Sequence, residues 1–264
     1  MREKLQTLAM KAVDLIFAIV PQATPTIEKL ADCKIIAHRG EHDNISVFEN
    51  TLSAFDKARD AGVWGIEFDI RWTQDLVPVV CHDVCGRRLF DRDEKISELS
   101  AVQLRALMPQ VPTLAEVVAR YGGKIHLMIE IKDEIYPDQQ RQKQILSEHL
   151  AGLMPGQDYH FLALATALYD RVDFIETKHF FPVSELNATR LSQEVIDGGF
   201  GGLTGHFWLL NNRLKKRHAQ FGQTIGTGFV SSRNCLSREL NRGVQWIFSN
   251  DAVKLQAMLR QYQQ

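Results

Sequence analysis

From residue 34 onward, short apolar runs typical of buried strands alternate with segments of helical periodicity. The strand candidates are residues 34–38, 65–70, 125–131, 160–165, 179–183, 200–204, 224–229 and 244–248. Helical segments lie between most of them, at residues 52–58, 114–120, 140–153, 192–197, 211–220 and 236–241. This alternation predicts an α/β protein with a parallel sheet. About eight such units in this length predict a single closed (β/α)₈ barrel of the TIM type.

A ninth apolar run, residues 77–81, does not fit this count. Only residues 72–76 separate it from the preceding strand. A parallel crossover needs about a dozen residues, whereas a short connection suits an antiparallel pair. We therefore predict a β-hairpin extension after the second barrel strand, with Ile66–Arg71 and Val77–Cys81 as its arms. The second arm would return His82 to the level of Glu67.

The N-terminal segment has the pattern of an amphipathic helix. Its apolar residues repeat at intervals of three and four: Leu5, Leu8, Ala12, Ile16 and Ile19. Lys11 and Asp14 interrupt the apolar stretch, which argues against a signal peptide or a membrane span. We predict an N-terminal helix and lead-in over residues 1–30, followed by a barrel domain over residues 34–264. The helix is expected to cap the bottom of the core, and the alternative is a weak membrane-surface anchor.

Composition limits the partners and the location. The 264 residues are 45% hydrophobic and 24% charged, with a formal net charge of -1. This balance gives no broad attraction for nucleic acid or anionic membranes, so we expect no nucleic-acid partner and a local anion site. The four cysteines do not form a disulfide or zinc-ligand pattern, and buried free thiols predict a reducing, cytoplasmic location. The oligomeric state is left open.

Carboxylates on two predicted strands are typical of a metal site. Glu67 and Asp69 are two residues apart, so on a strand both side chains point to the same side. Two carboxylates on one face inside a barrel repel each other unless a cation lies between them. Glu130 and Lys132 repeat this spacing on the next barrel strand. Oxygen ligands of this kind suit Mg²⁺ or Ca²⁺ better than zinc.

The first strand ends in His38 and Arg39, at the face where barrel enzymes place their sites. An arginine offers two parallel donors to phosphate oxygens, and a neutral histidine can accept a proton. His82 is a second histidine near the predicted metal ligands. Glu49 is expected to pair with Arg39. Together these residues predict metal-assisted attack on a phosphorus ester.

These residues belong to a set of short motifs that resembles the glycerophosphodiester phosphodiesterase family. In chain order the motifs are His38-Arg39-Gly40, Glu49-Asn50-Thr51, Glu67-Phe68-Asp69, Pro78-Val79-Val80-Cys81-His82-Asp83, Val111-Pro112-Thr113-Leu114-Ala115-Glu116 and Glu130-Ile131-Lys132. They occur in the same order in the family. The resemblance is strong over residues 34–132 and thin afterward.

The resemblance implies a (β/α)₈ barrel that hydrolyses glycerophosphodiesters to glycerol 3-phosphate and an alcohol, with one divalent cation, Mg²⁺ or Ca²⁺. By this resemblance the metal ligands are Glu67, Asp69 and Glu130. The acid–base pair is His38 and His82, and the phosphate-binding residues are Arg39 and Lys132. By analogy His38 is the base and His82 the acid. Attack by water and attack by the neighbouring glycerol hydroxyl both remain open.

The second half departs from the family pattern. Family members commonly carry a tryptophan in the seventh barrel strand, where this chain has residues 224–230, and end the last strand with Thr-Asp, where it has Ser249-Asn250-Asp251. These positions are expected to hold the leaving alcohol or the glycerol, so the preferred alcohol is left open. Four aromatic side chains are candidates for this wall, with plain packing as the alternative: His206, Phe207, Trp208 and Phe229.

Two other functions remain as alternatives. One is a phospholipase D-like phosphodiesterase that acts on lysophospholipids at a membrane surface, with the N-terminal helix as its membrane contact. The other is a barrel that binds phosphoesters without turnover. The complete set of carboxylates, histidines and Arg39 favours hydrolysis over binding alone.

Overall fold

Eight parallel strands form a closed barrel, and one further strand pairs with its second strand in the antiparallel sense. The computed structural model describes residues 15–262. In chain order the strands are β1 (Lys34–His38), β2 (Gly65–Trp72), β3 (Pro78–Val80), β4 (His126–Ile131), β5 (Tyr159–Ala163), β6 (Phe180–Ser184), β7 (Gly202–His206), β8 (Thr224–Gly228) and β9 (Trp246–Ser249). The barrel closes because β1 pairs with both β2 and β9. The predicted (β/α)₈ barrel is confirmed.

Helices cover most of the outside of the barrel. In chain order they are α1 (Ile27–Ala31), α2 (Leu52–Asp60), α3 (Arg87–Phe90), α4 (Ala101–Leu107), α5 (Leu114–Tyr121), α6 (Gln139–Leu150), α7 (Ala188–Asp197), α8 (Asn212–Ala219), α9 (Arg233–Asn241) and α10 (Ala252–Tyr262). The six predicted helical segments correspond to α2 and to α5 through α9. The sequence analysis did not identify α1, α3, α4 or α10.

The connection from β5 to β6 departs from the regular alternation. It contains two short 3₁₀ turns, Thr166–Arg171 and Thr177–His179, in place of an α-helix. Tyr169 from the first turn stacks on Phe180 with ring centroids 4.5 Å apart. Aromatic packing therefore covers this side of the barrel, where helices cover other strands.

The predicted hairpin is present. In the antiparallel pair, Ile70 lies opposite Val80 and Arg71 opposite Val79. The amide that follows β3 donates to the Asp69 carbonyl at 3.0 Å, so the chain runs back toward the barrel mouth. The long connection after β3 contains α3 and α4 and has its own small apolar cluster, formed by Val79, Cys81, Ile96, Leu99, Leu104, Met108 and Val111.

Apolar side chains fill the lower part of the barrel interior. They form one buried cluster: Ile36, Met128, Leu162, Phe181, Trp246 and Phe248. Side chains two residues further along the same strand point to the same side. Accordingly, His38 lies above Ile36, and Glu130 lies above Met128. The alternation of the strands thus places polar groups at the upper, C-terminal end of a barrel that is closed below.

Residues 15–20 of the N-terminal segment pack near the upper end of the barrel, whereas Ala23 and Lys29 contact Asn241 at the lower end. Residues 15–19 are helical, and the Phe17 ring meets Phe207, which follows β7, at a centroid distance of 5.4 Å. Asn234, in the first turn of α9, donates to the Ala18 carbonyl at 2.7 Å. The expectation that this helix caps the bottom of the core is wrong for these residues, because both contacts lie near the strand ends that form the mouth. The helical positions predicted before residue 15 lie outside the described residues.

Two further expectations concern the cysteines and the membrane. All four cysteines are free thiols, and Cys81 and Cys235 are buried. Within residues 15–262, no helix combines the length and the apolar character needed to cross a bilayer.

Candidate active site

The turn after β1 fixes the first group of site residues. Arg39 and Gly40 both have left-handed backbone conformations, with φ of 59° and 78°. A Cβ on Gly40 would lie 2.7 Å from the Cβ of Ala54, so the close approach of α2 requires glycine here. The turn directs the Arg39 amide to Glu67 Oε2, to which it donates at 3.0 Å. The His-Arg-Gly motif thus joins β1 to the carboxylate on β2.

The three predicted metal ligands form one buried cluster. Glu67 and Asp69 lie on β2, and Glu130 lies opposite Asp69 in the register of β2 with β4. One carboxylate oxygen from each residue lies within 4.8 Å of the others. Glu67 and Asp69 are each only 1% exposed, so water provides little screening of their charges.

Burial and mutual repulsion perturb these acids unequally. Burial raises the pKa of Glu67 well above its usual value, and the neighbouring charges of Asp69 and Glu130 raise it further. Burial also raises the pKa of Glu130. Burial acts on Asp69 in the same direction, but Lys132 and Arg39 outweigh it and hold the pKa of Asp69 below the usual range. The cluster therefore has more negative charge than its neighbouring cations neutralise.

Lys132 lies closer to the carboxylates than the sequence analysis expected. Its Nζ is 2.6 Å from Asp69 Oδ1 and also donates to Glu130 Oε1. Burial alone would lower the pKa of the Lys132 ammonium, but the two acids raise it above the usual value. In this arrangement Lys132 balances part of the carboxylate charge, and its contact with a phosphate stays a prediction.

The donor set fits a divalent cation. Three carboxylates converge, all are buried, and the raised pKa of Glu67 marks a site that is short of positive charge. Hard oxygen donors of this kind are the usual ligands of Mg²⁺ and Ca²⁺. Glu67, Asp69 and Glu130 are therefore the residues that could hold such an ion.

Glu49 pairs with two arginines, only one of which was expected. Arg39 Nη1 donates to Glu49 Oε1 at 2.9 Å, as the sequence predicted. Arg88, from α3, donates to the same oxygen at 2.6 Å and also to Asp83 at 2.7 Å. Burial would raise the pKa of Glu49, but the two arginines hold it below its usual range. No motif marked Arg88, because it reaches the site only through the fold of the connection after β3.

Asn50 is a further residue that the sequence analysis treated only as part of a motif. Its side-chain amide donates to Asp69 Oδ2 at 2.8 Å, and its backbone amide donates to the Arg39 carbonyl at 2.9 Å. Thr51 is the N-cap of α2, since its side chain accepts from the Ala54 amide. In the Glu-Asn-Thr motif, Glu49 therefore pairs with Arg39, Asn50 hydrogen-bonds Asp69, and Thr51 caps α2.

His38 is the last residue of β1, and its side chain contacts the segment that follows β9. Its Nδ1 is 2.6 Å from Asn250 Oδ1, and its Nε2 lies 3.8 Å from Glu67 Oε2. Because an amide oxygen only accepts, Nδ1 carries the proton and Nε2 has the free lone pair. Burial, together with the charge of Arg39, lowers the pKa of His38 to about 3. At neutral pH this imidazole is neutral.

His82 has a carboxylate partner. Its Nδ1 lies 2.7 Å from Asp83 Oδ1, and Asp83 is in turn held by Arg88. Burial lowers the pKa of His82, while Asp69 and the hydrogen bond to Asp83 act in the opposite direction. A chain of contacts through Asp83, Arg88 and Glu49 thus connects His82 to the guanidinium that follows β1.

A cavity of about 670 Å³ opens at the C-terminal end of the strands. One side is charged, with residues from β1 to β4 and the segments that follow them: His38, Arg39, Glu67, His82, Glu130 and Lys132. The other side has residues from β5 onward. Its apolar residues include Leu162, Leu164, Val183, Leu209, Phe229 and Phe248, and its polar residues include Glu185, Asn250 and Asp251. The cavity can therefore hold a charged ester against the first side, with room for the alcohol part of the ester against the second.

Two of the four candidate aromatic residues line this cavity. Phe229 and His206 stack with ring centroids 5.6 Å apart, and Phe229 also meets the His38 ring at 5.7 Å. Phe229 has a left-handed backbone with φ of 66°, which is unusual for a bulky residue and points to a functional constraint. Phe207 is instead buried against the N-terminal segment, and Trp208 is exposed outside the cavity lining.

Comparisons with known proteins agree with these residues. Residues 38–157 match the model of the glycerophosphoryl diester phosphodiesterase family. A bovine (Bos taurus) protein named glycerophosphodiester phosphodiesterase 1 is 31% identical over 128 residues, which cover 43% of this chain and 38% of that protein. A glycerophosphodiester phosphodiesterase from Caldanaerobacter subterraneus is 34% identical over 117 residues, 39% of this chain and 47% of that protein. The chain thus matches less than half the length of either relative.

Solved structures extend the likeness to the whole barrel. A glycerophosphodiester phosphodiesterase from Thermotoga maritima superposes with a TM-score of 0.72 at 21% identity, over 84% of this chain and 96% of that one. An Oleispira antarctica phosphodiesterase, solved in complex with the product sn-glycerol-3-phosphate, has a TM-score of 0.72 at 20% identity, over 86% and 96% of the two chains. At these identities the structures establish the shared fold. The part of the chain that carries the motifs, residues 38–157, therefore matches the glycerophosphodiester phosphodiesterase family, and this part is slightly less than half of the chain.

Proposed function

We propose that this protein hydrolyses glycerophosphodiesters to glycerol 3-phosphate and an alcohol, with one divalent cation and a pair of histidines. The observation that carries the proposal is the meeting of three carboxylates, Arg39 and two histidines at one cavity. Hydrolysis of a phosphodiester needs these components: an electrostatic clamp for its oxygens, and groups that move protons on both sides.

The anionic ester would bind on the charged side of the cavity. Glu67, Asp69 and Glu130 would hold the cation, which supplies positive charge where the negative charge of the reacting phosphoryl group increases. Arg39 would contact a nonbridging phosphate oxygen, because its pairing with Glu49 holds its guanidinium in place. Lys132 is the second proposed phosphate contact. Either Mg²⁺ or Ca²⁺ suits the oxygen donors.

The different partners of the two histidines support different roles. His38 is neutral, and Asn250 leaves its Nε2 free to accept a proton from the attacking hydroxyl, so we assign His38 as the base. Asp83 stabilises the protonated form of His82 through Nδ1, so we assign His82 as the acid that protonates the departing alkoxide. Environments that differ in this way commonly divide acid and base work between two titratable groups.

Replacement of His82 by alanine tests the assignment. We expect kcat for glycerophosphocholine to fall at least about 10²-fold, the scale of general acid–base catalysis. A diester whose leaving group is a nitrophenol should lose much less, because that alcohol departs without protonation. The measurement is release of glycerol 3-phosphate or nitrophenol with Mg²⁺ or Ca²⁺ present.

His149→Ala is the matched control, since this half-buried histidine lies on α6 and hydrogen-bonds the Ile145 carbonyl, away from the cavity. Its activity should equal that of the wild type. Near-normal turnover of glycerophosphocholine by His82→Ala would contradict the role of His82. Equal losses on both diesters would mean that His82 does not protonate the leaving group.

A further inference from the structure

The row of charged side chains on β2 continues one step beyond the carboxylates. Strand alternation places Arg71 on the same side as Glu67 and Asp69. Arg71 is only 7% exposed, yet it does not line the cavity. A buried guanidinium is costly unless its charge and its N–H groups have partners. The partners of Arg71 therefore indicate what this charge does at the edge of the site.

One partner is a carboxylate in the segment that follows β4. Arg71 Nη1 donates to Glu134 Oε2 at 2.8 Å, and Glu134 Oε1 accepts from the Trp72 amide at 3.1 Å. Glu134 thus holds the guanidinium and the backbone beside it at the same time. The ion pair joins the end of β2 to the segment after β4, beyond the last residues that these two strands pair, Ile70 and Ile131.

The other partner is the backbone of His82. Arg71 Nε and Nη2 donate to the His82 carbonyl at 2.9 and 2.7 Å. Hydrogen bonds from a charged donor are stronger than those between neutral groups. β3 ends at Val80, and the Cys81 amide still donates to the Asp69 carbonyl of β2. Beyond these strand contacts, the two bonds from Arg71 tie the His82 backbone to β2.

The backbone and the ring of His82 are held by different groups. Asp83 contacts Nδ1 of the ring, whereas Arg71 contacts the carbonyl. A general acid must lie within hydrogen-bond reach of the departing oxygen, and a displacement of about 1 Å can cost about 10²-fold in rate. The carbonyl contact fixes the point from which the imidazole of His82 extends to the cavity that it lines.

We propose that Arg71 is a positioning residue for the acid: it fixes the His82 backbone so that the imidazole reaches the departing alkoxide. This role rests on the proposed function, because it requires His82 to be the acid. The planar fork of arginine supplies one N–H to Glu134 and two to the carbonyl, an arrangement that the single ammonium of lysine does not reproduce. Stability alone does not account for the pair, since apolar residues often replace a buried ion pair without loss of stability.

Arg71→Met tests the proposal, with glycerophosphocholine and a nitrophenyl diester of glycerol 3-phosphate as substrates. We expect kcat for glycerophosphocholine to fall at least about 10-fold with little change in KM, because the acid is displaced while Arg39 and the three carboxylates stay in place. Turnover of the nitrophenyl diester should change less than about 3-fold, since a nitrophenol departs without protonation. Arg71→Lys should give an intermediate kcat for glycerophosphocholine, because it keeps the charge and loses the fork.

Two further variants separate positioning from folding. Arg71→Met breaks the ion pair of Glu134, whereas Arg71→Met/Glu134→Gln removes both charges and keeps an acceptor for the Trp72 amide. The double variant should show the same selective loss on glycerophosphocholine. Arg242→Met is the matched control: this arginine is equally buried, pairs with Glu239, donates to a backbone carbonyl and lies outside the cavity lining. Its activities on the two diesters should keep the ratio of the wild type.

The results distinguish failure of this role from failure of the proposed function. If His82→Ala loses activity selectively on glycerophosphocholine while the Arg71 variants lose equally on both diesters, or lose nothing, Arg71 does not position the acid. If His82→Ala shows no such selectivity, the acid assignment fails and the role of Arg71 fails with it. Added Mg²⁺ or Ca²⁺ should raise the melting temperature of Arg71→Met by as much as that of the wild type. A smaller rise would mean that Arg71 acts on the carboxylate cluster instead.

Discussion

Asn250 reaches His38 from the far end of the chain, because the closed barrel makes β9 a neighbour of β1. It provides a neutral acceptor for the Nδ1 proton. The burial that lowers the pKa of His38 is therefore not opposed by a carboxylate partner at Nδ1. Asn250 is therefore one of the groups, after burial and Arg39, that set how much of the proposed base is neutral at a given pH.

Asn250→Asp should shift the pH dependence of the reaction. A carboxylate at Nδ1 favours the imidazolium, so the pKa of His38 rises, by about one unit or more. His38 must be neutral to accept a proton, so the acid limb of the kcat/KM profile should move to higher pH. The measurement is kcat/KM for glycerophosphocholine between about pH 2.5 and 8, because the acid limb of the wild type should lie near pH 3. Asn250→Ala is the control, which should lower kcat/KM without moving the acid limb to higher pH. If the acid limb of Asn250→Asp stays at the pH of the wild type, the role of His38 as base is contradicted.

At the scale of elements, strands β2 and β4 concentrate negative charge in the barrel interior. The register that pairs Asp69 with Glu130 also brings Glu67 into the same small volume. A carboxyl whose folded pKa is raised favours the folded state at low pH, and this contribution is lost as the pH rises. The ionised form of Glu67 therefore opposes folding at neutral pH until a cation binds.

Glu67→Gln should separate stability from cation binding. Without divalent metal at about pH 8, we expect its melting temperature to equal or exceed that of the wild type, because one buried charge is removed. Added Mg²⁺ or Ca²⁺ should raise the melting temperature of the wild type but not that of the variant, since an ion that binds the folded state stabilises it. Calorimetry with EDTA, Mg²⁺ and Ca²⁺ checks both statements. An equal rise in both proteins would argue against Glu67 as a ligand.

At the scale of the whole molecule, the two ends of the barrel differ in their ionisable groups. Below the site, His126 Nε2 and His160 Nδ1 share a buried hydrogen bond of 2.7 Å, and Trp64 stacks on His126. Burial lowers the pKa of His126 to about 4 and that of His160 to about 3. The closed end of the barrel therefore contains two imidazoles that the fold keeps neutral.

This pair should make the fold sensitive to acid. Unfolded histidine titrates near 6.5, so between about pH 6.5 and 4 the unfolded state binds more protons and stability falls as the pH falls. His160→Gln keeps a hydrogen-bonding side chain and should reduce that loss. The measurement is the free energy of unfolding in urea at about pH 7 and pH 5, with His149→Gln as the control. Parallel losses in all three proteins would exclude His160 as a cause.

The sequence was sufficient for local features of the site and insufficient for those that depend on distant contacts. Alternation along one strand placed Glu67 and Asp69 on one side, and the short connection of residues 72–76 predicted the hairpin that returns His82 to the mouth. Arg88 joined the site through a long connection without a motif, and Asn250 did so through barrel closure. Such pairings depend on three-dimensional packing, which periodicity and spacing do not encode.

The two halves of the chain line different sides of the cavity, so changes in substrate preference can arise separately from changes in the reacting groups. The residues proposed to bind the ion and the phosphate come from β1 to β4 and the segments after them, within the part that matches the family model. The other side of the cavity comes from β5 onward, where the sequence resemblance is thin. Mutations in the later loops can therefore alter which alcohol is accepted while the reacting groups stay in place. A barrel built in this way can acquire new substrates by loop variation and keep its chemistry.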